Sequence, residues 1–173
     1  MTRILMLCSS VALCLCTGCG EKRSEADTEG ADMKVLETSR LILRQFQPGD
    51  STDVHELAVD WSKAPGPAFD KWPTGEDEAK GMAKYFAEHH KYYAVFLRDP
   101  GKVIGLVAYN DVDADKRLDM GHVILSKYQD CAIDKEALGT MVDNAFATMD
   151  IDAVITHNAS NAEQLAPLKA LGF

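Results

Sequence analysis

Two groups of side chains in the sequence have residue types that bind metal ions. The aspartates of segment 111–115 alternate in the way that the first three ligands of a calcium-binding loop do. Such a loop needs glycine at its sixth position and glutamate at its twelfth, where this chain has Lys116 and His122. The pair His89–His90 has no partner at the spacing of a metal site. The sequence therefore predicts no metal site, and a polar hairpin turn accounts for the aspartates.

Four of the five cysteines lie within the first 19 residues. A short cationic start, Met1–Arg3, precedes an apolar run, Ile4–Cys16, and the small residues Thr17–Gly18 come directly before Cys19. This order is typical of a secretory signal, and a run of 13 residues is too short to span a bilayer. The end of the run resembles the lipobox of bacterial lipoproteins, although Cys16 stands where leucine is usual. The resemblance implies that Cys19 carries lipid.

The sequence predicts a signal peptide at 1–18, a tether at 19–38 and one globular domain at 39–173. Lipidated Cys19 would hold the domain on the exported side of a bacterial membrane. A false start codon is the alternative, and it would leave the domain in the cytoplasm. The net charge of −9 argues against nucleic acid as a partner, because such proteins need a basic surface. Cys131 alone remains in the domain, so we expect no disulfide there.

The domain alternates between helical and strand patterns. Asp50 with Asp53, and Thr74 with Asp77, look like capping pairs before two helices, because apolar residues at helical spacing follow each pair. A third helix is predicted from Lys135 to Met149 and a last one from Asn161. Five strands are predicted, at Leu41–Phe46, Tyr92–Arg98, Val103–Tyr109, Leu118–Leu125 and Ala153–Thr156. This order predicts an α/β fold with a mostly antiparallel sheet, in which the helix between the fourth and fifth strands makes that pair parallel.

Five motifs occur in an order that resembles a known family. Thr38–Arg44 is similar to an opening T-x-R-L-x-L-R and is followed by Pro48–Asp50. Ile104–Gly105 is similar to a third-strand I-G, and Asp119–His122 to a fourth-strand E-I-G-Y. Asn161–Phe173 is similar to N-x-x-S-x-x-x-L-x-x-L-G-F, with glutamine in place of the serine. Together they resemble the GNAT superfamily of N-acetyltransferases and, within it, the branch that acetylates ribosomal-protein alanines.

The resemblance implies that the fourth and fifth strands splay apart and that acetyl-CoA lies in the opening. It implies pairing of the pantetheine with the backbone of Val123, Ile124 and Leu125, and a cofactor contact at Asn161. It also implies two further strands beside the fifth, which this chain lacks. Ala153–Thr156 would then form an unpaired edge. A second subunit would cover that edge, or the chain is a fragment.

The resemblance also assigns the pyrophosphate to backbone amides around the start of the third helix. The predicted residues are Gln129, Asp130, Cys131, Ala132, Ile133 and Asp134. The family has R-G-x-G here, so arginine is replaced by Gln129 and the two glycines by Asp130 and Ala132. We expect weaker binding of CoA, because a phosphate approaches glycine backbone closely and arginine adds positive charge. An ordinary N-terminal helix acid is the alternative interpretation of Asp130.

Three side chains are candidates for the chemistry of transfer. Asp119 matches the acidic position of the fourth strand and could accept the proton of an amine through water, or it could simply face solvent. His122 replaces an aromatic residue and could titrate near neutrality, or it could be packed in the core. Tyr109 could line the acceptor cleft, or it could be a core residue of the sheet.

These features lead to two hypotheses of function. The first is an acetyl-CoA-dependent N-acetyltransferase that acts on an amine, with a peptide N-terminus as one acceptor, and that has a degenerate pyrophosphate loop. The second is a membrane-tethered module without turnover, used for binding or left as a decaying fragment. Family resemblance favours the first hypothesis. The predicted export favours the second, because acetyl-CoA is a cytosolic metabolite.

Overall fold

The computed structural model describes residues 33–64, 71–129, 131–156, 168–169 and 171–172. The predicted signal at 1–18, Cys19, Asp130 and Asn161 lie outside these ranges, and so does most of the predicted last helix. Within the described ranges, each helix is either too short or too polar to cross a lipid bilayer.

In the part of the chain that the structure describes, one sheet of six strands forms the centre of the domain, and its strands follow each other in chain order. Four of the five neighbouring pairs are antiparallel, and the last pair, β5 with β6, is parallel. The predicted mixed α/β fold with a parallel final pair is therefore confirmed. The strands are β1 (Leu36–Glu37), β2 (Leu41–Gln45), β3 (Tyr92–Leu97), β4 (Lys102–Val112), β5 (Arg117–Ile124) and β6 (Ala153–Ile155).

The sheet begins earlier than predicted, inside the segment assigned as a tether at 19–38. Leu36 is buried and lies opposite Leu43 in the antiparallel pair of β1 and β2. A strand of two residues with a single buried side chain has no periodicity, so the sequence pattern gave no sign of it.

Among the described residues, three helices flank the sheet: α1 (Ser51–Lys63), α2 (Glu76–Glu88) and α3 (Cys131–Thr148). The apolar residues predicted for the first two helices are mostly buried, as Val54, Leu57 and Phe86 illustrate. The 3.6-residue period of the apolar residues predicts the positions of these two helices, because the apolar stripe of each helix packs against the core.

The capping pair predicted for α1 lies at the expected positions, with Asp50 at the N-cap and Asp53 in the first turn, but its side chains bond elsewhere. The Asp50 carboxylate accepts hydrogen bonds from both terminal nitrogens of Arg44, at 2.8 and 2.9 Å, and from the backbone N–H of Gln47 at 2.8 Å. The Asp53 carboxylate accepts the N–H of Val103 at 2.8 Å. Both acids therefore tie the start of α1 to the strands β2 and β4, and the Asp50 side chain makes no capping hydrogen bond to the helix.

The predicted cap of α2 is wrong. The helix begins after Gly75, and Asp77 pairs with Lys80 on the exposed face at 2.8 Å. The carbonyl of Thr74 accepts a hydrogen bond from Nε2 of His55 at 2.9 Å, which links the entry of α2 to α1.

The third helix begins four residues before the predicted start at Lys135. The family resemblance placed residues 129–134 in the pyrophosphate loop before this helix. Ala132 favours a helix more than glycine does, by about 1 kcal/mol. The residues that replace the glycines thus belong to, or directly precede, the first turn of α3.

The aspartates of segment 111–115 lie in and before the hairpin turn between β4 and β5. The Asp113 carboxylate accepts the backbone N–H of Asp115 at 2.9 Å and that of Arg117 at 3.0 Å. Lys116 completes the turn with a φ of 55°. Across the described part of the chain, no cluster of three or more histidine, cysteine or acidic side chains is arranged to hold a metal ion.

Candidate functional site

Among the described residues, the parallel pair of β5 and β6 covers the beginning of β5. Arg117, Leu118 and Asp119 lie opposite Ala153, Val154 and Ile155. The strand β5 then continues from Met120 to Ile124, beyond the residues that pair with β6. This extension is the part of β5 at which the resemblance to the family implies that the two strands separate.

Along this extension, the backbone N–H and C=O groups of successive residues point alternately toward β4 and away from it. The N–H of Leu125 donates to the carbonyl of Ile104 in β4 at 2.8 Å. Because successive residues of a strand direct their backbone groups to opposite sides, Val123 also faces β4 and Ile124 faces away from it. Of the three residues predicted to pair with pantetheine, Ile124 is therefore the one whose backbone groups point toward the opening.

The carbonyl groups at the end of β5 have acceptor roles within the chain. Nε2 of Gln129 donates to the carbonyl oxygen of Ile124 at 2.9 Å. The carbonyl of Leu125 accepts the backbone N–H of Tyr128 at 2.8 Å and that of Gln129 at 3.1 Å. The chain thus turns back directly after β5, through a 3₁₀ turn at Ser126–Tyr128, and brings Gln129 against the strand edge.

A glycine in β4 allows β5 to lie in this position. Gly105 is opposite Ile124, and a Cβ atom built on it would collide with the Ile124 side chain and lie 2.5 Å from the Val123 carbonyl oxygen. Any larger residue would push the end of β5 outward. The I-G motif of the third predicted strand therefore has a physical reason, which is the close approach of the two strands at this end.

The first turn of α3 contains four of the predicted cofactor residues: Cys131, Ala132, Ile133 and Asp134. Backbone N–H groups at a helix N-terminus point toward the end of the helix, and the helix dipole makes that end favourable for an anion. Ile133 and Asp134 are buried. Asp134 places an acidic side chain within this first turn.

Two acidic residues of α1 hold the turn between β5 and α3. The Asp60 carboxylate accepts the backbone N–H and the hydroxyl of Ser126, each at 2.7 Å. Glu56 pairs with Lys127 at 2.7 Å and also with Lys102. Hydrogen bonds from Lys102 and then Lys127 lower the pKa of Glu56. The chain that leads to α3 is thus fixed to α1, a connection that the sequence pattern did not reveal.

The three candidate side chains for chemistry do not lie on one face of the sheet. Tyr109 is opposite Met120, and Val107 is opposite His122. Because directly opposed residues share a face and neighbours along a strand alternate, Tyr109 and His122 lie on one face and Asp119 on the other. A catalytic group that combines all three side chains is therefore not formed.

Tyr109 connects β4 to α3. Its hydroxyl donates to the carbonyl of Met141 at 2.6 Å and accepts from Nδ2 of Asn144 at 3.2 Å. Burial raises the pKa of Tyr109 to about 12. The phenol therefore stays protonated near neutral pH, and its geometry is that of a core tyrosine.

His122 is 5% exposed, and burial lowers the pKa of its imidazole to about 4. The ring is thus neutral near pH 7, in agreement with the interpretation of a packed histidine. Asp119 is half-buried where the β5–β6 pair ends, and its carboxylate accepts Nδ2 of Asn110 at 3.0 Å. Of the three candidates, Asp119 is the one that carries an acidic group close to the point where the strands separate.

A cluster that sequence reasoning missed joins the opening motif to α3. The Glu136 carboxylate accepts hydrogen bonds from the Thr38 hydroxyl at 2.5 Å, the Arg40 backbone N–H at 3.1 Å and Nε of Arg40 at 2.7 Å. Burial raises the pKa of Glu136, and the bonds from Thr38 and Arg40 outweigh that effect and lower it. The opening motif and the pattern of α3 are both visible in the sequence. The contact between Arg40 and Glu136 is not, because 96 residues separate them.

The chain matches the acetyltransferase (GNAT) domain family over residues 40–173, which is most of its length. It therefore belongs to the GNAT acetyltransferase family. None of the curated proteins matches the sequence.

Solved structures with the same fold include acetyltransferases of ribosomal proteins. A ribosomal-protein-S5-alanine acetyltransferase from Vibrio fischeri has a TM-score of 0.62 at 20% identity, over 81% of this chain and 82% of that one. A putative ribosomal-protein-serine acetyltransferase from Vibrio cholerae has a TM-score of 0.62 at 18% identity, over 79% and 81%. The ribosomal L7/L12 acetyltransferase RimL, solved with coenzyme A, has a TM-score of 0.65 at 15% identity, over 79% and 82%. At these identities the likeness is one of fold.

Proposed function

We propose that this chain is an acetyl-CoA-dependent N-acetyltransferase with an amine as acceptor. The observation that carries the proposal is the extension of β5 beyond its pair with β6, with Ile124 directed away from β4. An extended ligand with amide groups can add to such a strand edge. The start of α3, two residues after Gln129, offers the positive end of a helix dipole to a diphosphate.

The proposed reaction is a direct transfer. The amine nitrogen attacks the thioester carbonyl carbon, the C–N bond forms and the C–S bond breaks, and the sulfur leaves as the CoA thiolate. The amine gives up one proton to a base, and the thiolate takes one from solvent. Positioning of the two substrates supplies much of the acceleration in such a reaction. Asp119 is the proposed proton acceptor, acting through water, because it carries the half-buried carboxylate beside the opening.

The composition of segment 129–134 supports weak binding of CoA. Gln129 brings no positive charge, and Asp130 and Asp134 bring negative charge close to the site proposed for the diphosphate. A like charge at about 4 Å costs roughly 1 kcal/mol in water and about 4 kcal/mol at a half-buried site. We expect CoA affinity to be lower by about five-fold to several hundred-fold than with the family loop. The same observation favours a second candidate function, a binding module without turnover.

The test is a calorimetric titration of the full chain with CoA, together with release of free thiol from acetyl-CoA in the presence of a peptide amine. We expect saturable binding, and tighter binding after Asp130→Gly with Ala132→Gly by about five-fold to several hundred-fold. Asp143→Asn is the matched control, because it removes one negative charge from the exposed face of α3, away from the first turn.

The outcomes separate the two candidate functions. Saturable binding with thiol release supports the transferase. Saturable binding without thiol release, with any of several peptide amines, favours the binding module. Failure of the chain and of the double variant to saturate at millimolar CoA would reject both. An equal effect of the control variant would show that net charge, and not the loop, sets the affinity.

A further inference from the structure

A side chain of the protein itself lies against the strand edge at which the ligand is proposed to bind. Ile124 directs its carbonyl away from β4, and Nε2 of Gln129 donates to that oxygen at 2.9 Å. The donor is the N–H of a primary amide. The Gln129 carboxamide therefore contacts β5 in the way that the backbone amide of a neighbouring strand would.

The proposed ligand would use the same acceptor. This step rests on the proposed function, because the arm of CoA that would lie along β5 is pantetheine, which contains two secondary amides. An amide N–H of this arm needs a carbonyl on the strand edge, and Ile124 is the residue among Val123–Leu125 whose carbonyl faces that side. We infer that the Gln129 side chain competes with pantetheine for the Ile124 carbonyl and must move away before CoA binds.

The rest of the turn does not depend on this side chain. Gln129 is an exposed residue, so its carboxamide can leave the strand for solvent. Its backbone N–H is bonded separately to the carbonyls of Leu125 and Ser126, at 3.1 and 3.2 Å. Loss of the side-chain bond therefore opens the edge of β5 and leaves the turn in place.

Two substitutions test this competition. Gln129→Ala removes the side chain, and Gln129→Glu keeps its size but replaces the donor with a carboxylate that cannot donate to a carbonyl at neutral pH. The probes are pantetheine, which has the amides and no phosphate, and adenosine 3′,5′-bisphosphate, which has phosphates and no amide. Dissociation constants are measured on the full chain by NMR titration, and thermal unfolding checks that both variants are folded.

We expect both variants to bind pantetheine about two- to ten-fold more tightly than the unchanged chain, which corresponds to one released hydrogen bond. With Gln129→Ala, we expect unchanged affinity for the bisphosphate. Equal affinity of all three proteins for pantetheine would overturn the inference. A gain in Gln129→Ala without a gain in Gln129→Glu would also overturn it, because bulk and not the amide donor would then be the cause.

The experiment distinguishes this inference from the proposed function. If the unchanged chain binds CoA and neither variant gains affinity for pantetheine, the inference fails and the proposed function stands. If CoA binds to a variant and not to the unchanged chain, the side chain is the obstacle, as inferred. If CoA and pantetheine fail to bind to any of the three proteins, both are rejected.

Discussion

His122 shows how the position of a residue in the sheet decides its chemistry. The side chain lies in β5 opposite Val107, on the face that Tyr109 shares, and it is buried. Burial penalises the imidazolium, so the folded protein holds the neutral ring down to about pH 4. Unfolded chain would protonate the same ring near pH 6.5. The residue therefore acts on stability and not as an acid or base at neutral pH.

This difference predicts a loss of stability in mild acid. Above about pH 6.5 the ring is neutral in both states, so it has no effect. Between about pH 6.5 and pH 4 the unfolded state binds a proton that the folded state does not, so the free energy of unfolding falls as the pH falls. We expect a loss of about 1–2 kcal/mol between pH 7 and pH 5, measured by urea denaturation. His122→Phe keeps a ring that cannot be protonated, so this variant should lose much less stability between pH 7 and pH 5.

The comparison needs a histidine outside the core, and His55, which is only half-buried, is such a residue. His55 lies on α1 and its ring reaches the carbonyl of Thr74. We expect His55→Gln to keep the decline in stability between pH 7 and pH 5. If the free energy of unfolding of His122→Phe falls as steeply with pH as that of the unchanged chain, the prediction is wrong. The imidazole of His122 would then be protonated as readily in the folded state as in the unfolded state.

At the scale of elements, two points in the first part of α3 bond to different parts of the sheet. Glu136 bonds to the turn between β1 and β2 through Thr38 and Arg40. One turn and a half further along, Met141 accepts the hydroxyl of Tyr109 from β4. The helix whose N-terminus is proposed to bind the diphosphate is thus fixed to the sheet by hydrogen bonds as well as by its buried apolar side chains.

We predict that Glu136→Gln destabilises the domain. The carboxylate receives several hydrogen bonds, one of them as part of an ion pair with Arg40 at 2.7 Å, and an amide can accept at only one of its two terminal atoms. The expected loss is about 1–3 kcal/mol in the free energy of unfolding, measured by urea denaturation at neutral pH. Asp143→Asn on the exposed face of α3 is the control and should change stability by no more than about 0.5 kcal/mol. Equal losses in the two variants would contradict this role of Glu136.

The elements also show what periodicity can and cannot predict. Val54, Leu57 and Ala58 are buried as their spacing predicted, and the parallel final pair followed from the helix between the last two strands. The caps were not predictable, because Asp50 and Asp53 find their partners in strands that a local pattern does not contain. Local signals fix where an element lies, and long-range contacts decide which atoms its polar side chains bind.

At the scale of the whole molecule, the same limit applies to the candidate site. The motifs identified the family and located the end of β5, the turn after it and the start of α3. They did not reveal that Gln129 bonds to Ile124 or that Asp60 holds Ser126, because both bonds depend on how the chain turns after β5. They also grouped Tyr109, His122 and Asp119 as one set. The register of β4 and β5 separates these side chains onto two faces.

The sequence before the domain leads to a prediction about where the whole molecule resides. An apolar run that ends at Cys19 predicts cleavage and lipidation at that cysteine, and an acyl chain contributes about 0.8 kcal/mol of membrane affinity per buried methylene. We expect the full chain, expressed in a bacterium, to sediment with membranes, and Cys19→Ala to move it to the soluble fraction. Cys8→Ala lies in the apolar run, leaves the predicted lipid site intact and should not change the distribution. Membrane association that survives Cys19→Ala would exclude the lipid anchor. A soluble unchanged chain would favour the false start and return the domain to the compartment that holds acetyl-CoA.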